Sequence, residues 1–333
     1  MVSADGLQWR EEDGKPIVPI SYVDDVITAI WDEHREHYVI FPKQMTPVLG
    51  RSRRSLYVSA SRDFKHWSKL VPAFLADRRD DLGVLPRLEA VRRLLNYPVN
   101  PNVARSEFYG TGAFAAECGV LAFPWVFTVS ANVPKYGNQD GPVEVQLAMS
   151  RDLETWSRPF RTPILALGAE GAWDCGMIFT ASQAIQVADE IRLYYGATNY
   201  THGAPGPNGA PEGGLGTKHT GAIGLATWKL DRFVSVDGPA EGGTLTTVPI
   251  KFKGQMLEIN AVTRPKGSIV VEMLDASGKP IEGYAAADVF VGDELRHVVT
   301  FGGQADVAPL EGETVSLRFR LKNAELYSFA FRD

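Results

Sequence analysis

Three acidic positions in this chain each stand at the start of a predicted β-hairpin, where carboxyl groups could do acid–base chemistry. They are the adjacent Asp24 and Asp25, then Glu107, and then Asp174. Hydrolysis of a glycosidic bond needs two such groups, one that protonates the leaving group and one that attacks or activates water. Neighbouring carboxyl groups push their pKa values apart, which provides this asymmetry. The structural alternative is that these side chains accept hydrogen bonds from turn amides.

Aromatic and histidine side chains could complete a sugar-binding site. Trp125, Trp173 and Tyr195 could stack on sugar rings, although packing inside sheets is the alternative for each of them. His202 could hydrogen-bond to sugar hydroxyls, and the alternative is a bond to nearby backbone. His202 also opens a glycine-rich segment that runs to Gly216, which we predict to form a lid over the site.

Motifs for other chemistries are missing from the sequence. It has no glycine-rich phosphate-binding loop and no Gly-x-Ser-x-Gly motif. Its two cysteines, Cys118 and Cys175, form no zinc-binding pattern. His34 and His37 are expected in an exposed turn, so we interpret them as solvated and not as metal ligands. The sequence therefore predicts no cofactor and no metal.

A repeated phrase, Ser-x-Asp-x-x-x-Trp, indicates how the chain is built. It occurs at residues 3–9, 61–67 and 150–156, and a degraded copy follows at 227–233. Apolar β-like runs precede the second and third copies, and paired β-like runs lie between copies. A strand, an aspartate turn and an aromatic side chain, repeated at this spacing, are typical of β-propeller blades. We expect the aspartates to accept turn amide protons and the tryptophans to pack in the core.

The composition changes in the glycine-rich segment 237–243. Short strands follow, among them 257–261, 268–274, 315–321 and 326–331, and such strands at this spacing are typical of a β-sandwich. The sequence therefore predicts an all-β fold: a partial five-bladed-type β-propeller over residues 1–240 and a C-terminal β-sandwich over residues 241–333. One helical stretch is expected in the first domain, over residues 82–95.

Charge and hydropathy exclude several classes of partner. The net charge is −6 and no basic track for a nucleic-acid backbone is present; the cluster at residues 51–54 is expected to be a solvated turn. No apolar run is long enough to span a membrane. The N-terminus lacks a signal-peptide pattern, so the sequence as written predicts a cytoplasmic protein without nucleic-acid or membrane partners.

Four short phrases resemble bacterial proteins described as glycosidases similar to glycoside hydrolase family 32. They are Gly171-Ala172-Trp173-Asp174-Cys175-Gly176-Met177, Tyr194-Tyr195-Gly196, His202-Gly203 and Leu326-Tyr327-Ser328-Phe329. Family 32 places a five-bladed catalytic propeller before a β-sandwich and shares the propeller with families 43, 62 and 68. The chain departs from family 32 in two motifs, Asn-Asp-Pro-Asn-Gly and Arg-Asp-Pro, which it lacks. It also begins about where the later blades begin in longer relatives.

The resemblance implies that carboxylates at the starts of the innermost strands face one central funnel. Asp25 is then the base or nucleophile, Asp174 or Glu107 is the acid, and the remaining one orients the substrate. The resulting hypothesis is a glycoside hydrolase acting on a carbohydrate, which could be a fructan or another furanoside or pyranoside. Its sugar contacts would be Asp24, Trp125, Trp173, Tyr195 and His202.

The alternative from another class is a non-catalytic carbohydrate-binding or scaffold protein, which the missing family motifs favour.

The number of repeats also bears on assembly, because three blades and a fragment cannot close a five-fold ring alone. The sequence therefore predicts either a homo-oligomer that covers the open edge or a smaller closure by the N-terminal strand.

Overall fold

The computed structural model describes residues 3–11, 24–134, 137–203 and 219–333. The chain divides into two compact units, one formed by Met1–Ile185 with Arg192–Thr227 and the other by Gln186–Ile191 with Trp228–Asp333. The domain division at residues 240/241 stays a prediction. Within the described ranges, no helix has the length and apolar character needed to cross a membrane.

The first sheet of the first unit is an antiparallel meander of four strands. Its strands follow one another in space as in sequence: β1 (Ile27–Asp32), β2 (His37–Val48), β3 (Arg51–Ser61) and β4 (Val71–Phe74). Side chains of β1 alternate strictly between exposed and buried, as expected for a strand with one face on the core. This sheet is the blade that the second copy of the repeat predicts.

Two short helices follow the first sheet, α1 (Arg78–Leu82) and α2 (Val84–Ala90), and a 3₁₀ turn at Arg92–Leu94 completes the segment. The sequence predicts one helix over residues 82–95, but helix formation begins earlier and is interrupted at Gly83. A capping box starts α1, because Asp77 and Asp80 each accept a hydrogen bond from the other's backbone N–H at 2.9 Å.

Ten strands follow along the chain: β5 (Arg105–Ala116), β6 (Gly119–Val129), β7 (Ala131–Val133), β8 (Asn138–Asp140), β9 (Val143–Val145), β10 (Ala148–Ser150), β11 (Met177–Thr180), β12 (Ile185–Val187), β13 (Glu190–Thr198) and β14 (Gly221–Lys229). Eight of them form a second sheet in the order β10-β6-β9-β11-β13-β12, with β5 paired to β6 and β14 paired to β13, and β7 and β8 form a separate hairpin. β6 pairs antiparallel with β5, β9 and β10, and β11 pairs antiparallel with β13, whereas β9 and β11 pair in parallel through Val143 and Met177.

The three full repeat copies form the same turn. In each copy the aspartate Oδ1 atom accepts hydrogen bonds from the backbone N–H groups two and three residues later, at 2.7–2.9 Å. The residue after the aspartate has a positive φ: 74° at Gly6, 62° at Phe64 and 63° at Leu153. The prediction that these aspartates are structural is confirmed.

The tryptophans of the repeat do not share one environment. Trp156 is half-buried and packs on Phe41 and Phe74, with ring centroids 5.8 and 4.9 Å away. Trp67 is also half-buried. Trp9, however, is 58 % exposed, so its predicted core position is wrong. Its copy forms the turn outside the named strands, and its indole N–H donates within that turn, to the Gly6 carbonyl at 3.0 Å.

The second unit contains one sheet that folds over its own core. Its strands are β15 (Val236–Gly238), β16 (Gly243–Thr246), β17 (Met256–Leu274), β18 (Asp293–Val298) and β19 (Ser316–Arg332). β17 and β19 each combine two of the short strands that the sequence predicts. The register shifts between Thr263 and Ser268, where a side chain at Gly267 would meet the Asn323 carbonyl at 2.3 Å. The predicted class, all-β with blades followed by a sandwich, is confirmed.

We predict that Trp156→Ala lowers the free energy of unfolding by about 3 kcal/mol, the lower end for a large aromatic core residue, because Trp156 is half-buried. Urea unfolding followed by circular dichroism measures this loss. The matched control is Trp9→Ala, which removes the exposed tryptophan of the first copy and should cost less than about 1 kcal/mol. Equal losses in the two variants would contradict the different packing of the two copies.

Candidate functional site

Tyr109, on β5, is the centre of a group of polar side chains that come from distant parts of the first unit. Burial and then the negative charge of Asp25, two residues before β1, raise the pKa of the Tyr109 hydroxyl. Lys43, on β2, places its Nζ atom 4.0 Å from the centroid of the ring. His202, which follows β13, places its Nε2 atom 3.1 Å from the Tyr109 hydroxyl oxygen. The fold therefore brings Asp25 and His202 together on opposite sides of one phenol.

Lys43 is the buried cation of this group. Its side chain is 1 % exposed, whereas the Asp25 side chain is 62 % exposed. The Lys43 ammonium hydrogen-bonds to Asp25 Oδ1 and lies 3.5 Å from Asp24 Oδ2. Burial raises the pKa of the Asp25 carboxyl, but the hydrogen bond from Lys43 and its charge outweigh this, so the pKa lies below its ordinary value. Asp25 is therefore an accessible carboxylate that stays ionised at neutral pH.

Glu107 lies deeper in the same group. It is completely buried, and its two oxygens accept hydrogen bonds from Arg54 Nη1 and Arg105 Nε, both at 2.6 Å. Arg54 also donates to the side-chain oxygen of Gln139 at 2.9 Å and lies over the Tyr109 ring, 5.3 Å from its centroid. The catalytic role of Glu107 stays a prediction, and these contacts favour a role in holding Arg54 against Tyr109.

His202 is fixed in one tautomer by its backbone contact. Its Nδ1 atom lies 2.7 Å from the carbonyl oxygen of Gln139. Because a carbonyl only accepts, Nδ1 carries the proton, and the Nε2 lone pair of the neutral ring faces the Tyr109 hydroxyl. Burial lowers the pKa of His202 below its ordinary value. Burial and then the charge of Asp25 raise the pKa of Tyr109. Both groups are therefore uncharged at neutral pH.

Asp140 holds the backbone on which His202 sits. This buried carboxylate accepts hydrogen bonds from the Thr201 hydroxyl at 2.6 Å, from Gly203 N–H at 3.1 Å and from Asn96 N–H at 2.8 Å. It thus ties the segment after β13 to the segment after the 3₁₀ turn. The glycine-rich lid predicted after His202 lies outside the described residues.

A second group contains the remaining predicted carboxylate. Asp174, three residues before β11, lies near Tyr195 on β13, where its charge acts on the tyrosine hydroxyl. The rings of Trp173 and Tyr195 are nearly parallel, at 14° with centroids 5.7 Å apart. Burial and then Asp174 raise the pKa of Tyr195. An aromatic surface next to a carboxylate can pack against a sugar ring, and the sugar contacts of Trp173 and Tyr195 stay predictions.

Trp125 lies between the two groups and is largely buried, with 7 % exposed. Its indole N–H donates to the Thr180 hydroxyl at 2.9 Å, and its ring contacts Phe179 with centroids 5.3 Å apart. Phe179 in turn contacts Tyr109 at 5.8 Å, and Thr180 pairs with Tyr195 in the sheet. For Trp125 these contacts favour packing, and its sugar contact stays a prediction.

The structure therefore divides the sequence-predicted residues. Asp24, Asp25, Glu107 and His202 lie in the Tyr109 group; Asp174, Trp173 and Tyr195 lie in the second group; and Trp125 lies in the packing between them. Convergence of all three carboxylates on one depression stays a prediction.

Sequence reasoning did not identify Lys43, Arg54, Tyr109 and Asp140. The only signal was the basic cluster at residues 51–54, but we expected it to be a solvated turn. That expectation is wrong, because the cluster begins β3 and its residue Arg53 is 3 % exposed. Arg53 makes a two-fold ion pair with Asp81, at 2.7 and 2.8 Å.

Comparisons with known proteins give similar solved structures only, since no family model and no curated protein sequence matches the chain. An N-acetylgalactosamine deacetylase from F. plautii has 15 % identity and a TM-score of 0.37, with 62 % of this chain and 50 % of that chain covered. A family 117 glycoside hydrolase from Zobellia galactanivorans has 13 % identity and a TM-score of 0.34, with 89 % and 83 % covered. A family 43 arabinoxylan arabinofuranohydrolase from Bacillus subtilis has 8 % identity and a TM-score of 0.31, with 98 % and 72 % covered.

The chain thus spans about half the length of the first of these structures. The similar structures include glycoside hydrolases of families 43 and 117, and likeness to family 32 in particular stays a prediction. With TM-scores below 0.5, the likeness supports no argument about activity, which therefore rests on the site.

We predict that His202 makes stability depend on pH. The unfolded imidazole, with its ordinary pKa of 6.5, binds a proton at higher pH than the folded one, so unfolding takes up a proton. The free energy of unfolding should therefore fall as the pH is lowered through about 6.5 and should rise again toward pH 8. Urea titrations of the wild type and of His202→Gln at pH 7.5, 6.5 and 5.5 measure this. The variant should show a smaller slope, and an unchanged slope would contradict the prediction.

Proposed function

We propose that this protein is a glycoside hydrolase whose ionised carboxylate is Asp25 and whose acid is Asp174. The observation that carries the proposal is the accessible Asp25 side chain, held ionised by the buried Lys43 ammonium, which also lies against the Tyr109 ring. A carboxylate with a neutral tyrosine and a fixed cation around it fits either attack on an anomeric carbon or activation of water.

The proposed reaction needs a proton on the leaving oxygen as the glycosidic C–O bond breaks. We assign this proton donation to Asp174, which is half-buried and next to the Trp173–Tyr195 stack. A water molecule then adds its oxygen to the anomeric carbon, and its proton passes to a carboxylate, which balances the reaction. The aromatic stack would bind the sugar ring on one side of the bond.

Lys43 has two tasks in this proposal. It keeps Asp25 ionised, and it lies under the Tyr109 ring, where the cation and the ring face attract each other. Glu107 acts through Arg54, which it holds against that ring. Both are positioning residues here, because Glu107 is completely buried and Lys43 is 1 % exposed.

The proposal specifies the substrate only as a class of sugar. A fructan or another furanoside or pyranoside is the class that the family-32-like phrases of the sequence favour, and His202 and Asp24 would bind its hydroxyls. A panel of aryl glycosides and fructans, assayed with the full chain, would find the substrate.

We expect Asp25→Asn to lower kcat by at least about 10²-fold, because the amide can neither attack nor accept a proton. The matched control is Asp24→Asn, which changes the neighbouring carboxylate at 3.5 Å from the Lys43 ammonium and should affect KM more than kcat. Melting temperatures of both variants should fall, because each variant removes one of the two carboxylates paired with the buried Lys43 ammonium, so kcat is compared at a temperature where both variants are folded. Full activity in Asp25→Asn would contradict its catalytic role.

Asp174→Asn tests the acid separately. An acid matters most for a poor leaving group, so turnover of an alkyl glycoside should fall by about 10²-fold or more, whereas turnover of a dinitrophenyl glycoside should fall much less. Equal losses on both substrates would assign Asp174 to binding. If the variant unfolds, Asp174 is a turn residue and the acid assignment is wrong.

The second candidate function is carbohydrate binding without hydrolysis. The parallel Trp173–Tyr195 stack next to Asp174 favours it, because this arrangement can bind a sugar without any proton transfer. If calorimetry shows that a sugar binds and the activity assay shows no turnover of that sugar, this second candidate is correct. Light scattering would test the predicted homo-oligomer in either case.

A further inference from the structure

Two glycines border the second group, and each lies where a side chain would strike one of the group's members. Gly168 lies in the loop that leads to Asp174, and Gly224 lies on β14, which pairs with the strand that carries Tyr195. Neither glycine has a positive φ, so the backbone conformation does not require glycine at either position. What distinguishes both positions is the space beside them.

Gly168 leaves room for the Asp174 carboxyl. A methyl group on Gly168 would lie 2.0 Å from Asp174 Oδ1 and 3.0 Å from Asp174 Cγ, whereas non-bonded heavy atoms pack best at about 3.5–4.0 Å. The next atom, Ala172 Cβ, would be 2.9 Å away, so the overlap falls mainly on the carboxyl oxygen. Asp174 Oδ1 therefore occupies the place that a side chain at position 168 would fill.

The backbone around Asp174 is held on both sides, so its side chain is the part that can give way. Gly168 N–H donates to the Asp174 carbonyl at 3.2 Å, and Gly176 N–H donates to the Thr198 carbonyl at 2.8 Å. Between these two contacts, Cys175 is buried in a small apolar cluster. A side chain at position 168 would thus turn the Asp174 carboxyl away and leave the loop in place.

Gly224 leaves room for the Tyr195 ring in the same way. A methyl group on Gly224 would lie 2.3 Å from Tyr195 Cζ and 2.6 Å from both Cε1 and Oη. A point in the ring plane at that distance, between Cε1 and Oη, would be closer to those two atoms than to Cζ, so the methyl group would stand over the face of the ring. The phenol therefore lies flat on the backbone of β14, with its hydroxyl near Asp174.

We propose that Gly168 and Gly224 are positioning residues, which set the place of the Asp174 carboxyl against the Tyr195 hydroxyl. The inference rests on the proposed function for its effect on turnover, because Asp174 is the acid there. A group misplaced by about 1 Å can cost about 10²-fold in rate, since the acid must lie within hydrogen-bond distance of the leaving oxygen. The position of the carboxyl itself is tested without any substrate.

The test of Gly168 follows the ¹³Cζ resonance of Tyr195 in the labelled full chain, assigned by its loss in Tyr195→Phe. As the pH is raised from about 3 to about 7, ionisation of the Asp174 carboxyl should shift this resonance in the wild type but not in Asp174→Asn. Gly168→Ala should reduce the shift toward that of Asp174→Asn, because the carboxyl has turned away. In the Asp174→Asn background, Gly168→Ala should add nothing, since it acts through that carboxyl.

Gly224→Ala tests the position of the ring. It should move the indole N–H resonance of Trp173, which stacks on Tyr195, because the phenol must leave the place of the new methyl group. The matched control is Gly196→Ala on β13, where φ is not positive and a methyl group would meet nothing within 4 Å. The Trp173 and Tyr195 resonances should stay in place in this control. An unmoved Trp173 resonance in Gly224→Ala would overturn the role of Gly224.

Turnover separates this inference from the proposed function. Gly168→Ala should lower turnover of an alkyl glycoside by about 10²-fold and that of a dinitrophenyl glycoside much less, as expected for a displaced acid. If the Tyr195 resonance reports a displaced carboxyl and turnover stays at the wild-type level, Gly168 positions Asp174 and the acid assignment is wrong. A wild-type shift of the Tyr195 resonance in Gly168→Ala would overturn the inference whatever the turnover.

A second variant keeps the test decisive if Gly168→Ala does not fold. The double variant Gly168→Ala/Asp174→Ala lacks the carboxyl that the new methyl group would strike, so circular dichroism should show that it folds. This rescue supports the inference, because it identifies the Asp174 side chain as the obstacle. If the double variant fails to fold while Asp174→Ala alone folds, the obstacle lies elsewhere and the role of Gly168 is wrong.

Discussion

Buried positive charge is the constraint on which the first unit depends. Lys43 and Arg53 are 1 % and 3 % exposed, and a cation removed from water needs a carboxylate beside it. Lys43 is paired with Asp24 and Asp25, and Arg53 is paired with Asp81. The ionised state of Asp25 follows from this pairing. The chemistry proposed for the site is therefore a consequence of how the strands bury their cations.

The same constraint explains why the predicted carboxylates differ. Asp25 meets its cation at the edge of the group and keeps most of its side chain in contact with solvent. Glu107 meets two guanidinium groups in the interior, where both of its oxygens are occupied. Asp174 is half-buried and lies near the hydroxyl of Tyr195. Three acidic residues near the starts of three strands thus acquire three different environments, and their neighbours distinguish them.

The repeat motif determines the geometry of its own turn but not the environment around the turn. Its aspartate accepts amide protons from residues two and three positions later, and the left-handed residue between them completes the turn in every full copy. What surrounds the turn differs from copy to copy. Trp156 packs in the core, Trp9 is exposed, and Trp67 is half-buried with an N–H that has no hydrogen-bond partner among the described residues.

The sequence by itself determined the all-β class, the repeat turns and the acidic residues at the strand starts, because these depend on hydrogen bonds and side-chain alternation among near neighbours. It predicted separate short strands where β17 and β19 run on through a bend, since only the pairing of the two strands shows that Gly267 faces the Asn323 carbonyl. It also left Lys43, Arg54 and Tyr109 unnoticed. Their ion pairs and ring contacts join residues dozens of positions apart, so the tertiary structure alone decided which carboxylate is buried and which is free to react.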